Sequence, residues 1–388
     1  MPKQRAILFL QFTNPAGYPP LERSSTLLSE AGWKITFLGT GALGAEALRF
    51  PERPSIREVQ IPFVGGGVRQ KLLYGLFAAR ALALAATMGK PVVYASDPLS
   101  APAALLLRRV LGCRVIYHEH DSPEAPAAGT AGVSSHLRAR AALAREADLC
   151  VLPSAGRLEQ FELSTGRHRH GVTIAWNTPL RREVQPGEVS ASEAAPVFRL
   201  IFHGSIGPAR LPFTLAEALA LLPEGVILRI VGYETVGSFG HTREFLDRAE
   251  KAGARERVEV VGAVPLRAQL QEQALGCNLG LALLPMTTSD VNVRAMAGAS
   301  NKPFDYLACG LPVLVSDIPE WRAMYVDPGY GVACDPGDPA SIAAAIATLA
   351  GDPDRARRMG EAGRQRILSD WNYETSFAPV MERLEAMA

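Results

Sequence analysis

The chain is expected to form an α/β structure of two Rossmann-like, doubly wound domains facing across a cleft. Three observations lead there. Its 388 residues exceed the roughly 250 to 300 at which a single core stops growing. Short apolar runs alternate with helical stretches, the pattern of parallel sheets covered by helices. The alternation stops once, in the polar, aperiodic "RREVQPGEVSASEAAP" of Arg181 to Pro196, and restarts with "VFRLIFHG".

In the first half, apolar runs place strands at Ala6 to Leu10, Lys34 to Leu38, Glu58 to Ile61, Val92 to Ala95, Arg114 to Tyr117, Leu149 to Leu152 and Val172 to Ala175. The clearest helices between them are Arg69 to Thr87, Pro98 to Leu111 and Ser134 to Ala147. The second half adds strands at Val226 to Val231, Val258 to Val261, Leu279 to Leu283 and Val313 to Val315. Three helices close the chain: Pro339 to Leu349, Pro353 to Leu368 and Asn372 to Met387. This divides the chain into a first domain over 1–185, a linker over 186–198 and a second domain over 199–370. The helix over 371–388 is expected to pack back on the first domain. Ligands of such sheets sit at the carboxyl ends of the strands, so the cleft is the expected site.

Composition narrows the function classes. With 48% hydrophobic and 20% charged residues, each domain can bury a sizeable core. A formal charge of +1 supplies no field to steer the chain to nucleic acid. No apolar stretch approaches the roughly 20 residues of a membrane span, and the opening "MPKQRAILFLQF" is too short in its apolar run for a signal peptide. The expectation is a soluble cytoplasmic protein. Five widely spaced cysteines, set mostly in apolar strings, are expected to be buried thiols with no structural zinc.

Several segments are candidates for the site. "GTGALG", Gly39 to Gly44, matches a dinucleotide fingerprint, but Pro51 and Pro54 cut short the helix that motif needs, and it follows the second strand. It is read as a plain connection. "NPAGYPPLERSS" follows the first strand, where Gly17 allows a ligand close to the backbone and Tyr18 stands beside it. "IYHEHDSPE", Tyr117 to Glu124, crowds ionisable groups at a strand end. His118 and His120 are expected on opposite faces, so acid–base or hydroxyl-binding work is favoured over metal. With Asp121 they belong to the cleft set.

In the second half, "FHGSIGPARLPFTLAEAL" joins a glycine turn at Gly204 and Gly207 to Arg210 near a helix start, a combination suited to a diphosphate. "SNKPFDYLACGLPVLVSD" is read as a compact helix with Asn301 as N-cap and Gly310 just past its end. It offers Lys302 to phosphate and Asp305 to a ribose diol. The bland alternative is an exposed ion pair between those two residues. The basic runs "RHRH" and "DRARRMGEAGRQR" are read as solvated faces.

From "FHGSIGPARLPFTLAEAL" through "SNKPFDYLACGLPVLVSDIPE" to the "YGVACDPGDPASIAAAIATLAGD" ending, the chain resembles the retaining nucleotide-sugar glycosyltransferases of family four. The resemblance implies a GT-B architecture, donor bound by the second domain and acceptor by the first. It also implies transfer with retained configuration, without a bound metal or other cofactor. It carries Gly204 and Arg210 over as diphosphate contacts, Asn301 and Lys302 as donor contacts, Asp305 as the ribose acid, and His120 to a place beside the reacting sugar. The full donor set is Gly204, Ser205, Arg210, Gly232, Val264, Asn301, Lys302 and Asp305. The catalytic set is His120, Arg210 and Lys302.

Asp305 stands where the family usually has glutamate. The partner acid expected eight residues earlier is Ala297, leaving Asn292 or Arg294 to replace it. A UDP-sugar is the favoured donor, with GDP- or ADP-sugars as alternatives. The acceptor is a hydroxyl of a saccharide, a small molecule or a lipid-linked group, which leaves room for peripheral membrane contact. The helix in "RQKLLYGLFAARALALAA" is nevertheless read as packed in the core. Competing readings are a nucleotide-sugar epimerase, a non-catalytic nucleotide-sugar-binding partner and, weakest, a nicotinamide oxidoreductase.

Overall fold

Thirteen strands with β-branched and leucine-rich cores form two parallel sheets in the computed structural model, which describes residues 5–43, 45–63, 67–123, 135–185, 197–235 and 237–387. Gly44, Val64 to Gly66, Glu124, most of the Gly129 to Ser135 loop and most of the expected linker lie outside the described residues.

The first sheet holds β1 (Ala6–Gln11), β2 (Lys34–Thr40), β3 (Ile56–Ile61), β4 (Val92–Ser96), β5 (Val115–His118), β6 (Leu149–Leu152) and β7 (Val172–Ile174) in the order β3-β2-β1-β4-β5-β6-β7. The second holds β8 (Phe198–Ile206), β9 (Val226–Glu234), β10 (Val258–Gly262), β11 (Leu279–Ala282), β12 (Val313–Ser316) and β13 (Gly331–Cys334) in the order β10-β9-β8-β11-β12-β13. In each sheet the first strand in sequence lies inside, flanked by strands wound in opposite directions. That reversal opens a crevice at its carboxyl end. The two-domain α/β expectation therefore holds. The strand β13 was not anticipated, because "GVAC" is too short and small to read as one.

Helices of the first sheet are α1 (Pro19–Glu30), α2 (Gly67–Thr87), α3 (Ala101–Leu111), α4 (Ser135–Glu146) and α5 (Leu158–Thr165). Those of the second are α6 (Thr214–Ala220), α7 (His241–Lys251), α8 (Arg267–Ala274), α9 (Val291–Arg294), α10 (Asn301–Ala308), α11 (Pro319–Trp321), α12 (Pro339–Ala350) and α13 (Pro353–Ser369), and α14 (Tyr373–Glu385) closes the chain.

Alternating residues of β1 enter two separate cores. Leu8 and Leu10 pack toward α2 and α3, whereas Ile7 and Phe9 pack toward α1 and α14. Tyr373, Phe377, Val380 and Leu384 of α14 share one helical face, which seats the end of the chain on the first domain.

One expectation fails here. The α2 segment is not a core helix: only Leu73, Phe77, Ala81 and Ala85 are buried, one stripe of a 21-residue helix. Ala78, Leu82 and Leu84 flank that stripe half-buried against the core, whereas Leu76, Ala79 and Ala83 are exposed.

Candidate active site

A cavity of about 580 Å³ lies between the carboxyl ends of the two sheets and is lined from both domains. The first sheet contributes the turn after β1, with Gly17 and Tyr18, and the end of β5, with His120 and Asp121. Gly41, Ala42 and Leu43 also line it, so the glycine connection after β2 borders the cleft without any helix following it. The second sheet contributes Gly204 and Ser205 of β8, Arg210, Gly232 of β9, Val264, and Asn301, Lys302 and Asp305 of α10.

Backbone geometry brings the β8 and β9 ends together. Gly204 has φ +101°, and a Cβ on Gly232 would stand 1.9 Å from the Gly204 carbonyl oxygen. Gly232→Ala is therefore expected to lower Tm, checked by thermal melting against the wild-type protein. Lys302 rises beneath this turn, its Nζ 3.5 Å from where a Gly204 Cβ would be and 5.4 Å from the centroid of Phe202. Arg210 Nη1 donates to Ser205 Oγ at 2.5 Å. Among the described residues, neither Lys302 nor Arg210 has an acid within ion-pair distance. Enclosure in the cavity and the Arg210 charge push Lys302 down to about 7. The surface ion pair with Asp305 is absent.

Asp305 instead joins a buried network spanning both domains. Arg23 of α1 donates to Asp305 Oδ1 at 3.0 Å, Glu183 Oε2 at 2.9 Å, Asn301 Oδ1 at 3.0 Å and the Asn177 carbonyl at 2.9 Å. Arg267 of α8 bonds both Asp305 and Glu183. Burial opposes ionisation of Glu183, but Arg23 and Arg267 overcome it and hold the carboxyl at about 2. The Asn301 side chain is thereby taken, and the N-cap of α10 is Ser300, not Asn301. Asp305 Oδ2 accepts no hydrogen bond from the described residues, and His203 Nε2 stands 3.6 Å away. Burial lowers His203 to about 3, so it stays neutral at physiological pH.

Across the cavity, Asp97 adopts φ +63° and ψ 162°, a positive-φ conformation almost confined to glycine. Its Oδ1 accepts from the His120 and Asp121 amides at 2.8 and 3.1 Å, and its Oδ2 from Gln11 at 3.1 Å. Burial outweighs these bonds and raises Asp97 to about 6. His120 is 5% exposed, and among the described residues neither ring nitrogen has a hydrogen-bond partner. Burial pushes it down to about 4. Its ring lies 5.4 Å from that of Tyr18 and 3.8 Å from that of His118.

The histidines are thus on one face, as residues two apart in extended chain are, and the expectation of opposite faces is wrong. His118 does not reach the cleft: it sits behind His120, bonded to the Tyr94 hydroxyl at 2.7 Å. Arg294 is exposed and away from the cavity. Asn292 is not in the cavity either. It reaches across to the Ser122 backbone, accepting from its amide at 2.7 Å and donating to its carbonyl at 2.9 Å. Neither residue replaces the acid missing at Ala297.

Sequence reading missed Glu22, Arg157, His203, Tyr233 and Arg267, all of which line the cavity. Arg157 bonds the His120 carbonyl and, at 3.3 Å, the Asn292 carbonyl, tying the two domains together. No local spacing marks residues whose partners lie so far along the chain.

Residues 192–366 match the family model described as glycosyl transferases group 1. Over 183 residues the chain is 28% identical to glycogen synthase of Mycobacterium tuberculosis. That match covers 44% of this chain and 40% of the relative, so the chain aligns with less than half of that enzyme. Solved structures align over nearly the whole chain. Anabaena HepE in complex with UDP and glucose superposes with a TM-score of 0.71 at 18% identity, over 99% of this chain and 100% of that one. Sucrose-phosphate synthase from Thermosynechococcus elongatus gives 0.72 at 18% identity over the same shares. The likeness establishes the GT-B fold for the whole chain.

Proposed function

We propose that the protein is a glycosyltransferase that moves a sugar from a nucleoside diphosphate donor, UDP being favoured, to a hydroxyl acceptor with retention of anomeric configuration and without a metal. The observation that carries this reading is the pair of unneutralised cations, Lys302 and Arg210, beside a glycine turn in an interdomain cavity. Breaking the anomeric C–O bond sends its electron pair to the diphosphate, and preorganised cations stabilise that charge as it grows. Residues 192–366, which match the group 1 model, contain both cations, and the HepE structures hold UDP or UDP-glucose.

Asp305 Oδ2, without a partner inside the cavity, is the acceptor proposed for a ribose hydroxyl. Neutral His120 presents free ring nitrogens on the acceptor side, suited to orienting a hydroxyl. In a same-face transfer the acceptor oxygen bonds the anomeric carbon beside the departing diphosphate oxygen, which takes its proton.

The test is release of nucleoside diphosphate from UDP-, GDP- and ADP-glucose with a panel of hydroxyl acceptors, with and without EDTA, and NMR of the product anomer. Retention unaffected by EDTA supports the reading, and inversion contradicts it. Turnover of donor to an isomer without acceptor would indicate an epimerase, and binding without turnover a non-catalytic partner. His120→Ala is expected to lower kcat by about 10²-fold. His120→Ala is expected to leave the shape of the pH–rate profile around pH 6.5 unchanged, because His120 is already neutral there.

A further inference from the structure

The outer face of α2 carries an apolar stripe that none of the described residues covers. Val68, Leu72 and Leu76, four residues apart, are 72%, 69% and 54% exposed. The stripe continues through exposed Ala79, Ala83 and Ala86. At 100° per residue these six fall within one sector, turned away from the buried stripe. Exposed Arg69 and Arg80 flank one side of the sector and exposed Lys71 the other, and the helix contains no Asp or Glu. Single exposed leucines are ordinary, but a continuous apolar sector edged by cations is not.

The neighbouring α3 packs on the same sheet face and exposes Leu106 and Val110, also without an acid in the helix. An apolar sector between basic flanks is the pattern of a helix lying in the plane of a lipid interface. Among the described residues, no helix is long and apolar enough to cross a membrane.

We propose that the outer face of α2 docks on an anionic phospholipid surface. Apolar side chains enter the headgroup boundary, and Arg69, Lys71 and Arg80 meet the lipid phosphates. The location gives this docking a use. Phe12 lines the cavity and packs on Tyr74 and Phe77 of α2, with ring centroids 4.7 and 5.1 Å apart, and half-exposed Phe63 lines the cavity just before the helix. A docked α2 brings the cleft mouth to the lipid surface. Resting on the transferase reading above, the acceptor class is then a hydroxyl of a membrane-embedded lipid or lipid-linked sugar.

The test is co-sedimentation of the full chain with vesicles of equal parts phosphatidylglycerol and phosphatidylcholine, and with phosphatidylcholine alone. The wild-type protein is expected on the anionic vesicles, with binding that weakens as salt rises. Leu72→Gln/Leu76→Gln and, separately, Arg69→Gln/Lys71→Gln/Arg80→Gln are each expected to lower partition at least about tenfold. All five side chains are exposed, so the melting midpoint is expected to stay at the wild-type value, which verifies folding. Absence of binding, equal binding to neutral vesicles, or binding that survives both variants would overturn the proposal. So would self-association abolished by the same variants, which would assign the stripe to a second copy. A UDP-induced rise in Tm, read without lipid, reports the donor site independently of any of these outcomes.

Discussion

Lys302→Met is expected to reduce turnover by about 10²- to 10³-fold, the scale on which removal of one preorganised charge donor acts. The same substitution is expected to raise the Tm of the ligand-free protein near pH 6. Among the described residues Lys302 has no acid partner within ion-pair distance, and it is held at about 7, so its charged form is disfavoured by the fold. In the unfolded chain a lysine keeps its proton to about 10.4. The unfolded state therefore binds more protons between about 7 and 10, and stability rises with pH over that window. Below it the wild-type protein carries the full penalty, which methionine removes. A variant that is more stable and far less active marks a residue retained for binding charge.

Donor binding follows the opposite course. A diphosphate needs the cationic form, so UDP affinity is expected to fall as pH rises above about 7, with a proton taken up on binding. Calorimetry in buffers of different ionisation enthalpy measures that proton, and Lys302→Met should eliminate it.

Arg23→Met is expected to lower stability by about 3 to 5 kcal/mol, because it strips a counter-charge from a buried network. Arg23 is fully buried and satisfies groups from both domains, among them Asp305, Glu183 and Asn301. Without it the Asn177 carbonyl loses a donor, and Arg267 is the one arginine left paired with the two carboxylates. Urea unfolding with the midpoint and slope read together is the check.

The network also has an acid signature. Glu183 is depressed to about 2 against an ordinary value near 4.3, so its contribution is present above the ordinary value and lost as pH falls toward 2. Glu183→Gln should flatten that part of the stability profile.

These contacts explain how far the sequence could be read. Strand positions followed directly from apolar runs, as at Leu149 to Leu152, because buried parallel strands have one composition along their length. Glycine turns, Lys302 and Arg210 were legible because strand-end motifs and helix starts are local. His120 was found, but His118 was misplaced with it, since density of ionisable groups does not say which side chain opens on the cleft. The Arg23 network was invisible: an arginine in the first turns of α1 and a glutamate before the linker share no spacing with "NKPFD". The α2 stripe was misread for a related reason. An alanine- and leucine-rich helix has a similar sequence whether its second apolar face is covered or bare, and only the packing distinguishes them.

Binding of a nucleoside diphosphate by Lys302 and Arg210 is the proposal for the interdomain cleft. Its most direct test is thermal melting of the wild-type protein and Lys302→Met with UDP, GDP, ADP and NAD, with and without EDTA. At about 100 times its dissociation constant a ligand adds about 2.7 kcal/mol to the native state, enough to shift the midpoint clearly. The predicted result is a rise with one nucleoside diphosphate that is indifferent to EDTA and lost in Lys302→Met. A rise with NAD alone, or with a diphosphate but undiminished in Lys302→Met, would contradict it.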